Sequence, residues 1–177
     1  PLGGTPGEQF EYSSSGYVVL ASVIERASGL TWEDFLAEEI LYPLEMMSTE
    51  SDDPERLVPD RARGYRQVNG TVRNATYMHP SIAIGGGDLL STVDALVRWI
   101  ELLKSDTVLS AASRQRVLTA VPIRSPAGQQ MAANSSIVNV REVGGYARGW
   151  FIGTQSGHQI VVLSNVEEGR PVLMTAL

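Results

Sequence analysis

The chain has 177 residues, of which 43% are hydrophobic and 19% charged, and carries a net charge of −6. This composition suits a single core or one domain of a larger protein and argues against disorder; the acidic balance disfavours nucleic acid and anionic membrane as partners, because both reward lysine and arginine. The absence of cysteine excludes disulfides and thiolate metal sites and leaves the cellular compartment open, while no apolar run approaches the roughly 18 residues of a membrane span.

Helices come first in the chain. Tyr17, Leu20, Ala21, Ile24 and Ala27 recur at helical spacing from about Ser15, and Gly29 stands where a left-handed C-terminal cap would end that helix. Thr31 with Asp34 predicts an N-cap and an acidic first turn for a second helix, whose apolar face is Trp32, Phe35, Leu36 and Ile40. Pro43 stops it, because proline lacks the N–H that a continuing helix needs. Residues 49–78 turn polar, with Pro54 and Pro59, and read as a loop in which Asn69-Gly70 marks a short hairpin.

Order resumes at the segment GGGDLLST, residues 85–92. Ser91 or Thr92 caps a helix with a stripe of Leu96, Trp99, Ile100 and Leu103, and Ser110 opens a shorter one carrying Val117, Leu118 and Val121. Beyond Pro122 the period becomes two, and residues 137–143, 149–154 and 159–164 read as three antiparallel strands, with Ser156-Gly157 as the last tight turn. Residues 170–177 read as the start of a terminal helix. The pattern predicts an α+β fold: a mainly helical region over residues 1–135, then antiparallel strands and the start of a terminal helix over residues 136–177, both parts of one domain.

Several residues invite chemical readings that their surroundings do not support. His79 and His158 are far apart and lack metal-ligand spacing. Gly85-Gly86-Gly87 is followed by no Lys-Ser/Thr, so it is not a phosphate loop. Asp52-Asp53-Pro54-Glu55 lacks the spacing of a calcium loop and reads as a solvated turn. Asn69, Asn74 and Asn134 each begin an Asn-x-Ser/Thr triplet, which matters only in a secreted eukaryotic protein. Neither metal nor cofactor is expected.

The informative stretch is PGEQFEYSSSGYVVLASVIERASGLTWEDFLAEEILYPLEM, residues 6–46: a tyrosine at the mouth of a helix, two helices, and a Pro-Leu-x-Met stop. It resembles the second-motif region of the penicillin-recognising serine hydrolases, which include class C β-lactamases, D-alanyl-D-alanine carboxypeptidases and related esterases. Arg63-Gly64-Tyr65, the segment GGGDLLSTVD and the strand-like VVLSN ending at Asn165 resemble further family segments in the right order. The resemblance implies a β-lactamase/transpeptidase-like fold, incomplete in this chain. In that family the attacking serine belongs to a Ser-x-x-Lys turn upstream of the tyrosine. Here Lys104 is the only lysine, and Glu101 occupies the position of the partnering serine. The opening Pro1-Leu2-Gly3-Gly4 is likewise unlike a natural start. The expectation is the C-terminal part of a serine hydrolase whose nucleophile lies outside this chain, inactive by itself and paired with the missing N-terminal segment of the same protein or associated as an oligomer.

On that resemblance Tyr12 is the catalytic proton carrier. A phenol of ordinary pKa about 10 is a poor base at neutral pH, but beside a lysine ammonium its anion is stabilised. Read alone, Tyr12 is a packed aromatic, with Ser13, Ser14 and Ser15 as helix caps; the surrounding match favours the catalytic reading. The family motif is Tyr-x-Asn, and Ser14 replaces its asparagine, removing an amide that both donates and accepts. The third motif, Lys-Thr-Gly or His-x-Gly, is best matched by Glu142-Val143-Gly144-Gly145. Gly144 would let substrate lie against a strand, and Gly145 would offer the oxyanion N–H. Glu142 stands where a cation is expected, and Arg141 or Arg148 replaces it only in a shifted register. The same four residues also read as a glycine-rich turn between strands. The substrate classes implied are small esters, β-lactams and peptides ending in D-amino acids, with esters favoured by Ser14 and Glu142. The alternative is a catalytically decayed member that binds or scaffolds.

Overall fold

The computed structural model describes residues 11–122, 142–148, 150–155 and 158–159. In chain order the elements are α1 (Ser14–Ser28), α2 (Trp32–Leu36) running into a π-helical turn (Ala37–Leu41), β1 (Glu50–Ser51), β2 (Tyr65–Val68), β3 (Thr71–Asn74), a 3-10 turn (Pro80–Ala83), β4 (Leu89–Leu90), α3 (Val93–Lys104), α4 (Ala111–Leu118), β5 (Glu142–Ala147), β6 (Trp150–Gln155) and β7 (His158–Gln159). They divide between two compact units, Ser13–Asp60 with Tyr77–Ser110, and Pro1–Tyr12 with Arg61–Thr76 and Ala111–Leu177.

The first of these units is mainly helical, and the starts of its α-helices and the end of α1 have local causes. Ser13 caps α1 by accepting the Gly16 N–H at 3.1 Å, and Gly29 closes it at φ 78, as the sequence predicted. Thr31 caps α2 through the Asp34 N–H. The helix then widens: the N–H groups of Tyr42 and Met46 reach back five residues, to the carbonyls of Ala37 and Leu41. The π-turn ends at Leu41, two residues short of Pro43. Leu36, Leu41, Leu44, Met46 and Ala95 form the buried core, with Trp32, Ile40, Trp99 and Leu102 packed around it. Thr92, rather than Ser91, caps α3, accepting the Ala95 N–H at 3.2 Å. The Ser91 hydroxyl instead pairs with that of Thr49 at 2.7 Å, beside the β1–β4 ladder. Arg98 ties α3 to the turn after α2, donating to the Leu44 carbonyl and to Glu45.

The triple glycine has its explanation in the same unit. Gly85 lies at φ 71, and a Cβ there would stand 2.9 Å from the Cβ of Ala21 and 3.1 Å from the Tyr17 carbonyl oxygen. A Cβ on Gly86 would meet that of Tyr17 at 3.0 Å. The glycines therefore let the backbone press against the first half of α1.

The other unit holds two antiparallel systems. Tyr65–Val68 and Thr71–Asn74 form a hairpin whose turn residues Asn69 and Gly70 lie at φ 50 and 77, the geometry of a two-residue primed turn. The second system is the three-stranded sheet β5-β6-β7. Here the expected strand limits move. Of the strand expected at residues 137–143, only its last two residues are described, and β5 runs on through both glycines to Ala147. The glycine-rich turn reading is therefore corrected: Gly144 and Gly145 lie within a strand, and the chain reverses after Ala147, where Arg148 takes φ 40. A bulge at Gly144 makes this continuation feasible, since the register steps from Val143↔Gly153 to Gly145↔Ile152. The second expected strand is observed as Trp150–Gln155; the third is described only at His158–Gln159. The Ser156-Gly157 turn, Arg141, the last core strand and the terminal helix fall outside the described residues.

Candidate active site

Tyr12 directly precedes the cap of α1. Its position in the chain is fixed by the Ser13 hydroxyl, which accepts the Gly16 N–H and so defines where helical backbone starts. The Tyr12 side chain is 41% exposed, accessible to solvent yet not adrift. Its ring meets that of Tyr146 edge to face, with centroids 6.1 Å apart and planes at 78°.

Tyr146 belongs to β5, the strand that carries the other three candidate residues of the third motif. Glu142 is paired with Thr154, Gly144 occupies the bulge, and Gly145 is paired with Ile152. On the other edge of β5 the backbone of Tyr146 exchanges two hydrogen bonds with Val121, at 2.8 and 2.9 Å, forming an isolated bridge just after α4. The tyrosine and the glycine pair, separated by about 130 positions in the sequence, are thus joined through one aromatic contact and one strand. Ser14 is the exposed first residue of α1, on the other unit.

Arg148 has a different task from the one its charge suggested. Its Nη1 donates to the carbonyl of Arg116 and, at 3.5 Å, to that of Val117. Both carbonyls lie in the last turn of α4, where helix carbonyls lack intrahelical partners and carry partial negative charge. The guanidinium is therefore turned toward the end of α4, so Arg148 is not placed as a shifted replacement for the motif cation.

Tyr146 is the residue that sequence reasoning missed. A strand ending at Val143 leaves it in a turn; continuing that strand through the glycines puts it on the ladder, and this required seeing that the bulge absorbs Gly144. His79 proves to be a turn residue: its Nδ1 accepts the Ser81 N–H and pairs with the Ser81 hydroxyl at 2.9 Å, and its ring packs edge-on against Tyr77. Asp53 accepts the Glu55 N–H at 2.9 Å, a local turn contact, and Glu50 forms an ion pair with Arg56. Among the described residues no group of acidic, histidine or cysteine side chains is arranged to hold a metal ion.

Comparison with known proteins places these features in context. The family model described as Beta-lactamase matches residues 1–174. The human mitochondrial serine beta-lactamase-like protein LACTB is 37% identical over 100 residues, covering 56% of this chain and 18% of that protein. The D-alanyl-D-alanine-carboxypeptidase/endopeptidase AmpH of Escherichia coli K12 is 30% identical over 124 residues, covering 68% of this chain and 30% of that protein. Among solved structures, a penicillin binding protein from Bacillus halodurans superposes with a TM-score of 0.67 at 21% identity, over 92% of this chain and 47% of that one. The chain thus spans less than half the length of each of these relatives.

Proposed function

Because the chain belongs to the β-lactamase family of penicillin-recognising serine hydrolases, we propose that it is the part of an SxxK-type hydrolase that carries the proton-handling tyrosine, with the nucleophile supplied from outside it. The observation that carries this reading is the seating of Tyr12 against Tyr146, on the strand that also bears Gly144 and Gly145. A serine from a Ser-x-x-Lys turn attacks the substrate carbonyl, and its proton passes to the lysine and Tyr12. The oxyanion is met by the Gly145 N–H, and the leaving group departs with a proton returned through Tyr12. Water then enters by the same route and releases the acyl group.

The side chains that differ from the family motifs support a narrower substrate class. Ser14 is too short to grip an acylamino group as asparagine would, and Glu142 offers no cation to the carboxylate of a penicillin or a peptide C-terminus. A small ester needs neither contact, and its alkoxide leaves more readily than an amine. Small esters are therefore the proposed substrate class, ahead of β-lactams and D-amino-acid peptides. The catalysis itself uses neither metal nor cofactor. The partner is the preceding segment of the same protein; the apolar run Val19, Leu20 and Val23, exposed at 62%, 55% and 57% on α1, supports a covering segment or a second copy there.

A second reading, a decayed member that binds or scaffolds, draws on Glu142 and on the engagement of Arg148 with α4. One experiment separates the two. The coding sequence upstream of Pro1 is read for a Ser-x-x-Lys turn, and the complete protein is incubated with p-nitrophenyl butyrate and quenched for mass spectrometry. Acylation at that serine is expected; a missing turn, or an intact turn that is never acylated, rejects the hydrolase reading in favour of the second.

A further inference from the structure

Two residues outside the family motifs, Tyr146 and Arg148, link the strand that Tyr12 packs against to the α4 segment. Tyr146 packs edge-on against the Tyr12 ring, and the Tyr146 backbone is bonded in both directions to Val121. Two residues later, Arg148 leaves the strand at φ 40 and reaches the carbonyls of Arg116 and Val117 at the end of α4. Val121 lies three residues beyond the last residue of that helix. The hairpin end of β5 is thus fastened to the α4 segment at two points, at Tyr146 itself through its backbone and two residues later through Arg148.

We propose that Arg148 and Tyr146 are positioning residues for Tyr12, Arg148 by latching β5 to the carbonyl end of α4 and Tyr146 by holding the phenol ring. This rests on the reading of Tyr12 as the proton carrier. The physical case lies in what the latch opposes. A non-glycine residue at positive φ is disfavoured, so the turn conformation of Arg148 persists only where its side chain or surroundings hold it. The guanidinium supplies that hold, because it satisfies helix-end carbonyls with a charge-assisted donor. An edge-on aromatic pair has a preferred geometry, so a displacement of β5 carries the Tyr12 ring with it. Proton transfer is sensitive to displacements of that size: about 1 Å of misplacement far from the chemistry can cost on the order of a hundredfold.

The test uses Arg148→Gly, Arg148→Lys and Tyr146→Ala in the complete protein. Glycine accepts φ 40 without strain, so Arg148→Gly removes the guanidinium while relaxing the turn, and its folding is not put at risk by the backbone. The expected result is a kcat for ester hydrolysis lowered by about tenfold to a hundredfold in Arg148→Gly and Tyr146→Ala, with KM within about twofold, and substantial recovery in Arg148→Lys, which keeps a cationic donor. Combined with Tyr12→Phe, neither variant should lower kcat further. An unchanged kcat in Arg148→Gly, or a loss fully additive with Tyr12→Phe, overturns the proposal. Amide hydrogen exchange at Val121 and Tyr146 is measured in parallel and needs no activity. Faster exchange at both in Arg148→Gly is expected, and unchanged protection overturns the latch even if the wild-type protein hydrolyses nothing.

Discussion

The indole Nε1 of Trp32 donates a 2.8 Å hydrogen bond to Oδ2 of Asp88, a residue only 2% exposed. The Ser51 hydroxyl shares that oxygen at 3.4 Å, and the Gly85 N–H donates to Oδ1 at 2.9 Å. The Asp88 carbonyl accepts from Asp52 at 2.6 Å. One buried residue therefore gathers α2, the end of β1 and the glycine turn that rests on α1. A carboxylate is taken out of water only where donors replace the water, and neutral donors do so here.

Asp88→Ala should destabilise the protein by about 2–4 kcal/mol, because it strands the Trp32 and Gly85 donors as well as removing their acceptor. Asp88→Asn keeps one acceptor oxygen and should lose less. Urea denaturation of the three proteins checks this; a midpoint for Asp88→Ala indistinguishable from wild type would show that the network contributes nothing.

Gly29 and Gly85 share nearly the same φ, 78 and 71, in different surroundings. Nothing stands within 4 Å of a Cβ at Gly29, so Gly29→Ala should cost only the left-handed backbone, about 1 kcal/mol. Gly85→Ala adds the contacts with Ala21 and with the unyielding Tyr17 carbonyl and should cost on the order of 3 kcal/mol. Thermal melts that place the two variants together would mean that α1 shifts freely, contrary to the packing.

This chain, purified alone, should hydrolyse neither nitrocefin nor short p-nitrophenyl esters and should take no label from fluorescent penicillin. On the proposed reading Tyr12 would handle protons, but the chain offers no serine paired with a lysine in the Ser-x-x-Lys spacing to form an acyl-enzyme. Ser13 and Ser14 are committed to the cap and first turn of α1. Stoichiometric labelling of any serine in this chain would refute the assignment of the nucleophile to another segment.

In the complete protein, Tyr12→Phe should lower kcat by about 10²–10⁴, the usual contribution of general acid-base help. The wild type should favour p-nitrophenyl butyrate over nitrocefin in kcat/KM. A tenfold preference for nitrocefin would overturn the ester assignment, and an unimpaired phenylalanine variant would remove Tyr12 from the mechanism.

The local rules written into the chain were sufficient for its first helix ends, although Val121, expected on the last helix, lies three residues past it in a bridge to Tyr146. Ser13, Gly29, Thr31 and Pro43 act on backbone groups within a few residues of themselves, so the ends of α1 and the start of α2 were legible, as was the Asn69-Gly70 hairpin. The family, too, was legible, because the tyrosine motif and the order of its neighbours are properties of sequence. What the sequence left open depended on partners far along the chain. Whether Gly144 and Gly145 form a turn or a bulged strand is decided by pairing with residues 152–153, and both outcomes satisfy the same local propensities. Choosing Thr92 over Ser91 as the cap depended on Thr49, which offers the Ser91 hydroxyl another partner. The closeness of Gly85 to Ala21, the contact of Tyr146 with Tyr12 and the turning of Arg148 toward α4 are likewise tertiary facts. Each joins residues separated by more than thirty positions, and only the folded chain brings such residues within reach of one another.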